Sequence, residues 1–446
     1  MRQFAPPAVA IMALALTLAA AASPAKAQRP PAPAAVVKAG DLFDAEQGRM
    51  VGAREILIRG DRIVEVAASV SAPPDATVID LSQCRVMPGL IDAHTHLLLT
   101  QEAGEGLSEV AARDHAVDGD GYRLLTAAQY AREYLEAGIT SVRDLGNSGR
   151  FLDLVLARAI NEGRVAGPRI HGAGPGLAPA GGQMEPLPHD PHGLVDGEYR
   201  IIEGVDDARA AVREAVAAGA RVIKIYPEAT PQRTRLSPEE MTAIVAEARR
   251  HDMSVAAHVT SDRGAREAIE AGVTSLEHGY DLSDETLALM AERGVWWVPT
   301  HTSFGMAREL SSAWPQPPSD QMIRDHLSEE HQRLRKARAA GVRIAAGQDL
   351  YAPTVVGRGR ASLRVLDAYV EAGLTPAEAL QTATLNAGRL LAGEGQLGVI
   401  APGALADLIA LPADPTQSLD ALAGITLVMK GGLVEVADGS GACASR

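Results

Sequence analysis

The chain has 446 residues, of which 46% are hydrophobic and only 3% aromatic, and a formal net charge of −14. That is ample for a large domain plus a smaller one, with a core built from Ala, Val, Leu and Ile. The acidic balance, without any basic stripe, excludes a nucleic-acid partner, because phosphates demand clustered Lys and Arg.

The first segment reads as an export signal. Arg2 precedes the apolar run 8–22, and Ala25-Lys26-Ala27 gives a small-x-small cleavage signature ahead of QRPPAPA. Residues 1–27 are therefore expected to be a signal peptide and 28–35 a Pro/Ala-rich linker. The apolar run is shorter than the ~20 residues of a membrane span. The mature chain is expected to be exported, periplasmic or secreted, with no membrane attachment. Two cysteines are present, Cys84 and Cys443. The sequence is equally compatible with a disulfide and with two free thiols.

Residues 36–80 read as short strands (VVKAGDLFD, REILIRGDRIVEVA and ATVIDLS), with Arg59-Gly60-Asp61 as a hairpin turn. LADLIALP, ITLVMKGG and LVEVADG, after residue 396, have the same character. Both chain ends are thus expected to form one small β-sandwich domain from 36–86 and 391–446. Residues 87–390 remain as a continuous insertion.

That insertion alternates apolar strands with amphipathic helices. Eight strands are predicted, at 89–95, 139–144, 169–173, 221–226, 254–258, 273–277, 295–299 and 343–347. Ser237-Pro238-Glu239-Glu240 and Thr375-Pro376-Ala377-Glu378 are helix starts with capping-box chemistry. Gly138, Gly219, Gly272, Gly294 and Gly341 stand where helix C-caps belong. The economical fold is α/β, a (β/α)8 TIM barrel. Rossmann-type winding is less apt, since no glycine fingerprint follows the first strand. Segments 100–125 and 174–204 read as long, functional connections.

Chemistry concentrates at the predicted strand ends. In PGLIDAHTH, the period of two points His94 and His96 the same way, so both imidazoles reach one cation. A bare H-x-H equally suits two ordinary histidines, but paired imidazoles inside an apolar barrel are costly without a ligand. Lys224, in RVIKIY, alternates inward with Val222 and Tyr226. Burial would favour its neutral amine, which adds CO2 to give a carbamate able to bridge two cations. A Lys paired with a carboxylate is the competing reading. His258, His278 and Asp349 each fall at or just past the end of a predicted strand, where barrel enzymes collect catalytic groups.

This set resembles the amidohydrolase superfamily over nearly the whole mature chain. The residues that carry the resemblance are PGLIDAHTHL, GITSVRDLG, Lys224, AAHVTSD, SLEHG, GQD and the tail GQLGVIAPGALADLIAL. The nearest branch is that of imidazolonepropionase-like enzymes, with bacterial Xaa-Pro and related dipeptidases and ochratoxin-type amidohydrolases. The resemblance implies two divalent metal ions, zinc by expectation. His94, His96 and Asp349 would hold one and His258 and His278 the other, with carboxylated Lys224 and a hydroxide between them. Two departures bear on substrate preference. Gly181-Gly182-Gln183 stands where relatives often have Gly-Gly-His, and Gly347-Gln348-Asp349 where they often have Gly-Thr-Asp.

The expected activity is hydrolysis of an amide or peptide bond in a dipeptide or N-acyl amino acid. Asp349 would take the proton from the nucleophile and return it to the leaving amine, and Tyr226 would donate to the oxyanion. Arg233 and Arg235 would clamp a substrate carboxylate, although two solvated loop arginines fit the pattern as well. His301, just past strand seven, would face the substrate. Alternatives are a cyclic-amide or lactone hydrolase and, outside enzymes, a binding protein on a retired catalytic fold. The partner is a small molecule. The sequence is compatible with a homo-oligomer and does not set the number of copies.

Overall fold

The computed structural model describes residues 34–190, 193–229, 233–314, 316–437 and Cys443. The expected signal peptide, residues 1–27, and nearly all of the 28–35 linker lie outside the described residues. Among the described residues no helix is long and apolar enough to cross a membrane.

Each of the eight strands expected in the insertion is present: β1 (Leu90–Thr95), β2 (Ile139–Asp144), β3 (Arg169–Gly172), β4 (Val222–Ile225), β5 (Ser254–Val259), β6 (Ser275–His278), β7 (Trp296–Val298) and β8 (Arg343–Ile344). All pair in parallel, β1 to β3 in one sheet and β4 to β8 in another. Backbone bonds join the sheet ends. Arg221 N donates to Gly172 O at 2.9 Å, and Ala93 N donates to Ala346 O at 2.8 Å. This is a TIM-barrel-type arrangement, and it sets the carboxyl ends of strands distant in sequence side by side.

Local signals account for the helices between the strands. Ser237 Oγ accepts from Glu240 N, and the Glu240 carboxylate accepts from Ser237 N at 2.7 Å, which fixes the start of Pro238–Arg249. Thr375 and Glu378 do the same for Pro376–Gln381.

Three expectations change. Segment 174–204, expected as a long connection, contributes two short parallel strands, Gly176–Ala178 and Tyr199–Ile201, to the sheet of β4 to β8. The eighth strand, expected to run to 347, ends at Ile344; Ala345 N still donates to Trp297 O of β7 at 3.0 Å, and Ala346 N then turns to the Thr382 carbonyl at 3.0 Å. Segment 100–125, expected as an open connection, is largely helical: Leu107–Arg113, a π-helical turn Asp114–Asp118, and the first part of Gly119–Glu136. Its start is capped from outside. Glu185 accepts from Leu107 N and Ser108 N, a device that local sequence does not reveal.

Both chain ends enter one further sheet. Its hydrogen-bonded path runs Leu433–Ala437, Leu427–Lys430, Leu408–Leu411, Thr77–Pro88, Ala35–Asp44, Arg54–Arg59 and Arg62–Ala67, with Arg49–Met50 on the side of Ala35–Asp44. The Arg59-Gly60-Asp61 hairpin forms as expected, with Gly60 at φ +62°. A Cys84–Cys443 disulfide, Cα to Cα 5.7 Å, ties the C-terminal segment to Thr77–Pro88. The core is chiefly Ala, Val, Leu and Ile, as the composition requires.

Candidate active site at the carboxyl ends of the parallel strands

His94 and His96 stand at the end of β1, and both are buried. Their ring centroids are 5.3 Å apart, as the two-residue period requires. The segment after β8 reaches them through Gly347. A Cβ there would lie 2.7 Å from the His94 Cβ and 2.8 Å from its backbone nitrogen, so only glycine permits the approach. Asp349 N then donates to His94 O at 2.9 Å. Asp92 Oδ1 clamps the same junction, accepting from His94 N and Gln348 N at 3.0 and 3.2 Å. Asp349 adopts φ +57° and His278 φ +65°, conformations a non-glycine residue rarely takes. This strain sits at the two strand ends that aim ligands inward.

The donor atoms converge. Asp349 Oδ1 is 3.2 Å from His96 Nε2 and 3.5 Å from His94 Nε2, and the ligand atoms of the three residues lie within 4.8 Å of one another. Their tautomers follow from the far side of each ring. His94 Nδ1 faces Glu277 Oε2 at 2.8 Å, and His96 Nδ1 faces the Gly146 carbonyl at 2.8 Å. Each Nδ1 donates, so in the neutral, metal-ligating form of each ring Nε2 presents a lone pair toward Asp349. His94 Nε2 and Asp349 Oδ1 are buried without a hydrogen-bond partner. Lone pairs gathered this way repel one another unless a cation lies between them, so the donor set fits a divalent metal.

The other expected ligands adjoin this group. The His278 ring is 4.8 Å from that of His94 and 4.5 Å from that of His258. His278 Nδ1 meets Thr300 Oγ1 at 2.9 Å. Burial, reinforced by Lys224, depresses His258 to about 3, so it stays neutral and able to ligate. Lys224 is 1% exposed, with Nζ 5.2 Å from the Tyr226 ring centroid. Burial brings its amine down to about 8 even though Glu277 and Asp349 oppose the shift. The competing reading, a Lys ion-paired to a carboxylate, finds no such pair among the described residues.

Tyr226 is buried, with its ring 5.2 Å from that of His258 and edge-on to Tyr199. Burial raises its phenol well above the usual range, which keeps it a hydrogen-bond donor. His301 is 1% exposed and packs on Trp297 and Tyr369, beside the cluster of four histidines rather than within their ring contacts. Arg233 is exposed. Arg235 is engaged by Glu228 at 2.7 Å and Glu267 at 3.1 Å.

Sequence reading missed the support beneath the ligands. Arg143 on β2, 2% exposed, donates to Ala93 O (2.7 Å), Ser275 Oγ (3.0 Å) and Glu277 Oε1 (2.7 Å). Ser275 Oγ also donates to Glu277 at 2.6 Å. The charge of Glu277 is thus satisfied on one oxygen while the other orients His94. A charged residue in the otherwise uncharged stretch ITSVR was the available signal.

Comparisons with known proteins point to one family. The sequence pattern of the amidohydrolase family matches residues 85–434. Ochratoxinase of Aspergillus niger is 31% identical over 385 residues, covering 78% of this chain and 75% of that protein. Imidazolonepropionase of Anaeromyxobacter dehalogenans is 28% identical over 413 residues, covering 84% of this chain and 87% of its own length. A crystal structure of a Xaa-Pro dipeptidase with methionine bound in its active site superposes with a TM-score of 0.75 at 29% identity, over 90% of this chain and 100% of the other.

Proposed function

Since this chain belongs to the amidohydrolase family and is a hydrolase acting on amide bonds, we propose that it uses two divalent metals to cleave the amide or peptide bond of a dipeptide or N-acyl amino acid. One observation carries the reading. The Nε2 lone pairs of His94 and His96 and the Asp349 carboxylate converge on one buried point, next to a Lys224 amine with no ion pair among the described residues.

His94, His96 and Asp349 would hold one metal and His258 and His278 the other, with Lys224, carboxylated by CO2, between them. Zinc suits imidazole donors. Bound divalent cations supply Lewis acidity at the scissile carbonyl. The protein's own groups do the rest. The Asp349 carboxylate takes the proton of the attacking water and delivers it to the departing amine. The Tyr226 hydroxyl donates to the oxygen that gains charge. A substrate carboxylate would meet Arg233, with Arg235 a weaker candidate because two carboxylates already hold it. His301 would line the substrate side of β7.

The parallel strands are read as closing into a full (β/α)8 barrel spanning 87–390, with 36–86 and 391–446 as a small β-sandwich domain. Export to the periplasm or medium is supported by the Cys84–Cys443 disulfide, since such bonds persist in oxidising compartments.

The test is a metal analysis coupled to a parallel screen of dipeptides, N-acyl amino acids, cyclic amides and lactones. Two metals per chain, chelator-sensitive turnover and a preference for the linear amides are expected. Metal-free protein with undiminished amide hydrolysis would sink the binuclear reading. A preference for cyclic amides would instead favour the second reading, which the likeness to imidazolonepropionase supports.

A further inference from the structure

Beside the metal ligands opens a cleft of about 1030 Å³. Its walls are the segment after β1, the helix Phe304–Ser311 with the turn that follows it, and the segment after β8. Tyr351 joins this cleft to the site. It stands two residues beyond Asp349, with its ring 6.1 Å from His96 and edge-on to it. Gln101 N and Arg358 Nη2 both donate to the Tyr351 carbonyl, at 3.2 and 2.6 Å. The cleft wall and the metal-ligand loop are therefore one braced segment.

The lining has a definite chemistry. Trp314 is 54% exposed there, whereas Trp296 and Trp297 are buried. Leu310, Pro353 and Val355 extend the apolar wall. The charged residues that line it are all acidic. Glu105 is paired with Arg113, Glu309 is paired with Arg364 at 2.7 Å, and Glu102 makes no ion pair among the described residues. No Lys or Arg lines the cleft among the described residues. Ligand sites of roughly 300–1,000 Å³ take whole drug-sized molecules, so a small alkyl group would leave most of this volume to water.

We propose that the cleft receives one flank of the substrate and that Trp314 selects there for a bulky, uncharged aromatic or branched apolar group, while the acidic rim disfavours a carboxylate. This specificity rests on the amide-hydrolase reading of the adjoining site. The indole offers a flat face for stacking, and the Glu102 carboxylate, with no ion pair among the described residues, repels another anion.

The experiment compares N-acetyl-, N-(2-naphthoyl)- and N-succinyl-amino acids with a common leaving residue on metal-replete protein. A mirror series holds the acyl group constant and varies the leaving residue as Ala, Phe or Glu. In one of the series the aromatic member should exceed the small one in kcat/KM by about tenfold or more, and the acidic member should be poorest. Trp314→Ala should cut the aromatic-to-small ratio roughly tenfold, chiefly through KM, and Trp314→Phe should restore most of it. As a readout independent of turnover, the uncharged 2-naphthamide should quench the tryptophan fluorescence of the wild type and not that of Trp314→Ala. An unchanged ratio in Trp314→Ala, or a carboxylate-bearing flank preferred in both series, overturns the proposal. Quenching by 2-naphthamide without metal-dependent hydrolysis of any amide would reject the amide reading and leave the aromatic cleft standing.

Discussion

Arg143→Met removes the guanidinium beneath the metal ligands while keeping most of the side-chain stem. The structure sets the size of the effect. Arg143 and Glu277 are both buried, and the substitution breaks three hydrogen bonds, among them the 2.7 Å ion pair to Glu277 Oε1. Breaking a buried pair from one side costs about 3–5 kcal/mol because the remaining charge stays desolvated. Ser275 and His94 still contact Glu277, so the lower end of that range is expected. A second effect should follow, because Glu277 fixes the tautomer and orientation of His94. Loss of such support lowers metal affinity by about 10–100-fold. Urea unfolding of chelator-stripped protein measures the first effect, free of the stability that bound metal adds. Competition with a chromophoric chelator measures the second. Arg143→Lys should recover part of both. A stability loss below about 1 kcal/mol, together with unchanged chelator competition, would refute the reasoning.

Three further outcomes are expected. Asp349→Asn should lower kcat by at least about a thousandfold while most of the metal remains bound at saturating concentration, since the proton carrier is lost but the imidazoles remain; near-normal turnover would remove Asp349 from its role. Burial, assisted by Asp144, raises Asp153 to about 7, so the folded state holds a proton that the unfolded chain releases near 3.8. The contribution of Asp153 to stability is therefore full below pH 3.8 and is lost as pH rises toward 7, and Asp153→Asn should flatten that fall in denaturant midpoints compared at pH 5 and 8. Replacing Cys84 and Cys443 by Ala, or reducing them, should cost about 2–4 kcal/mol in unfolding experiments, and a midpoint insensitive to reductant would contradict a stabilising bond.

All eight parallel strands, the hairpin at Gly60 and the helix starts at Ser237 and Thr375 could be read from the sequence, because each rests on a local rule. Alternation marks a strand, and a capping box marks a helix start. The same locality put His94 and His96 on one side of β1 and turned Lys224 inward. Convergence could not be read that way. That His94 and His96 meet the Asp349 carboxylate is decided by strands distant in sequence, and by Gly347 allowing the Asp349 segment to lie against His94. Arg143 beneath Glu277, the external cap that Glu185 gives to Leu107–Arg113, and the capture of Arg235 by Glu228 and Glu267 likewise belong to the tertiary structure. A side chain's partners on other strands depend on which strand ends the fold places side by side. The periodicity of a single strand says which way a residue points, and only the packed fold says what it meets.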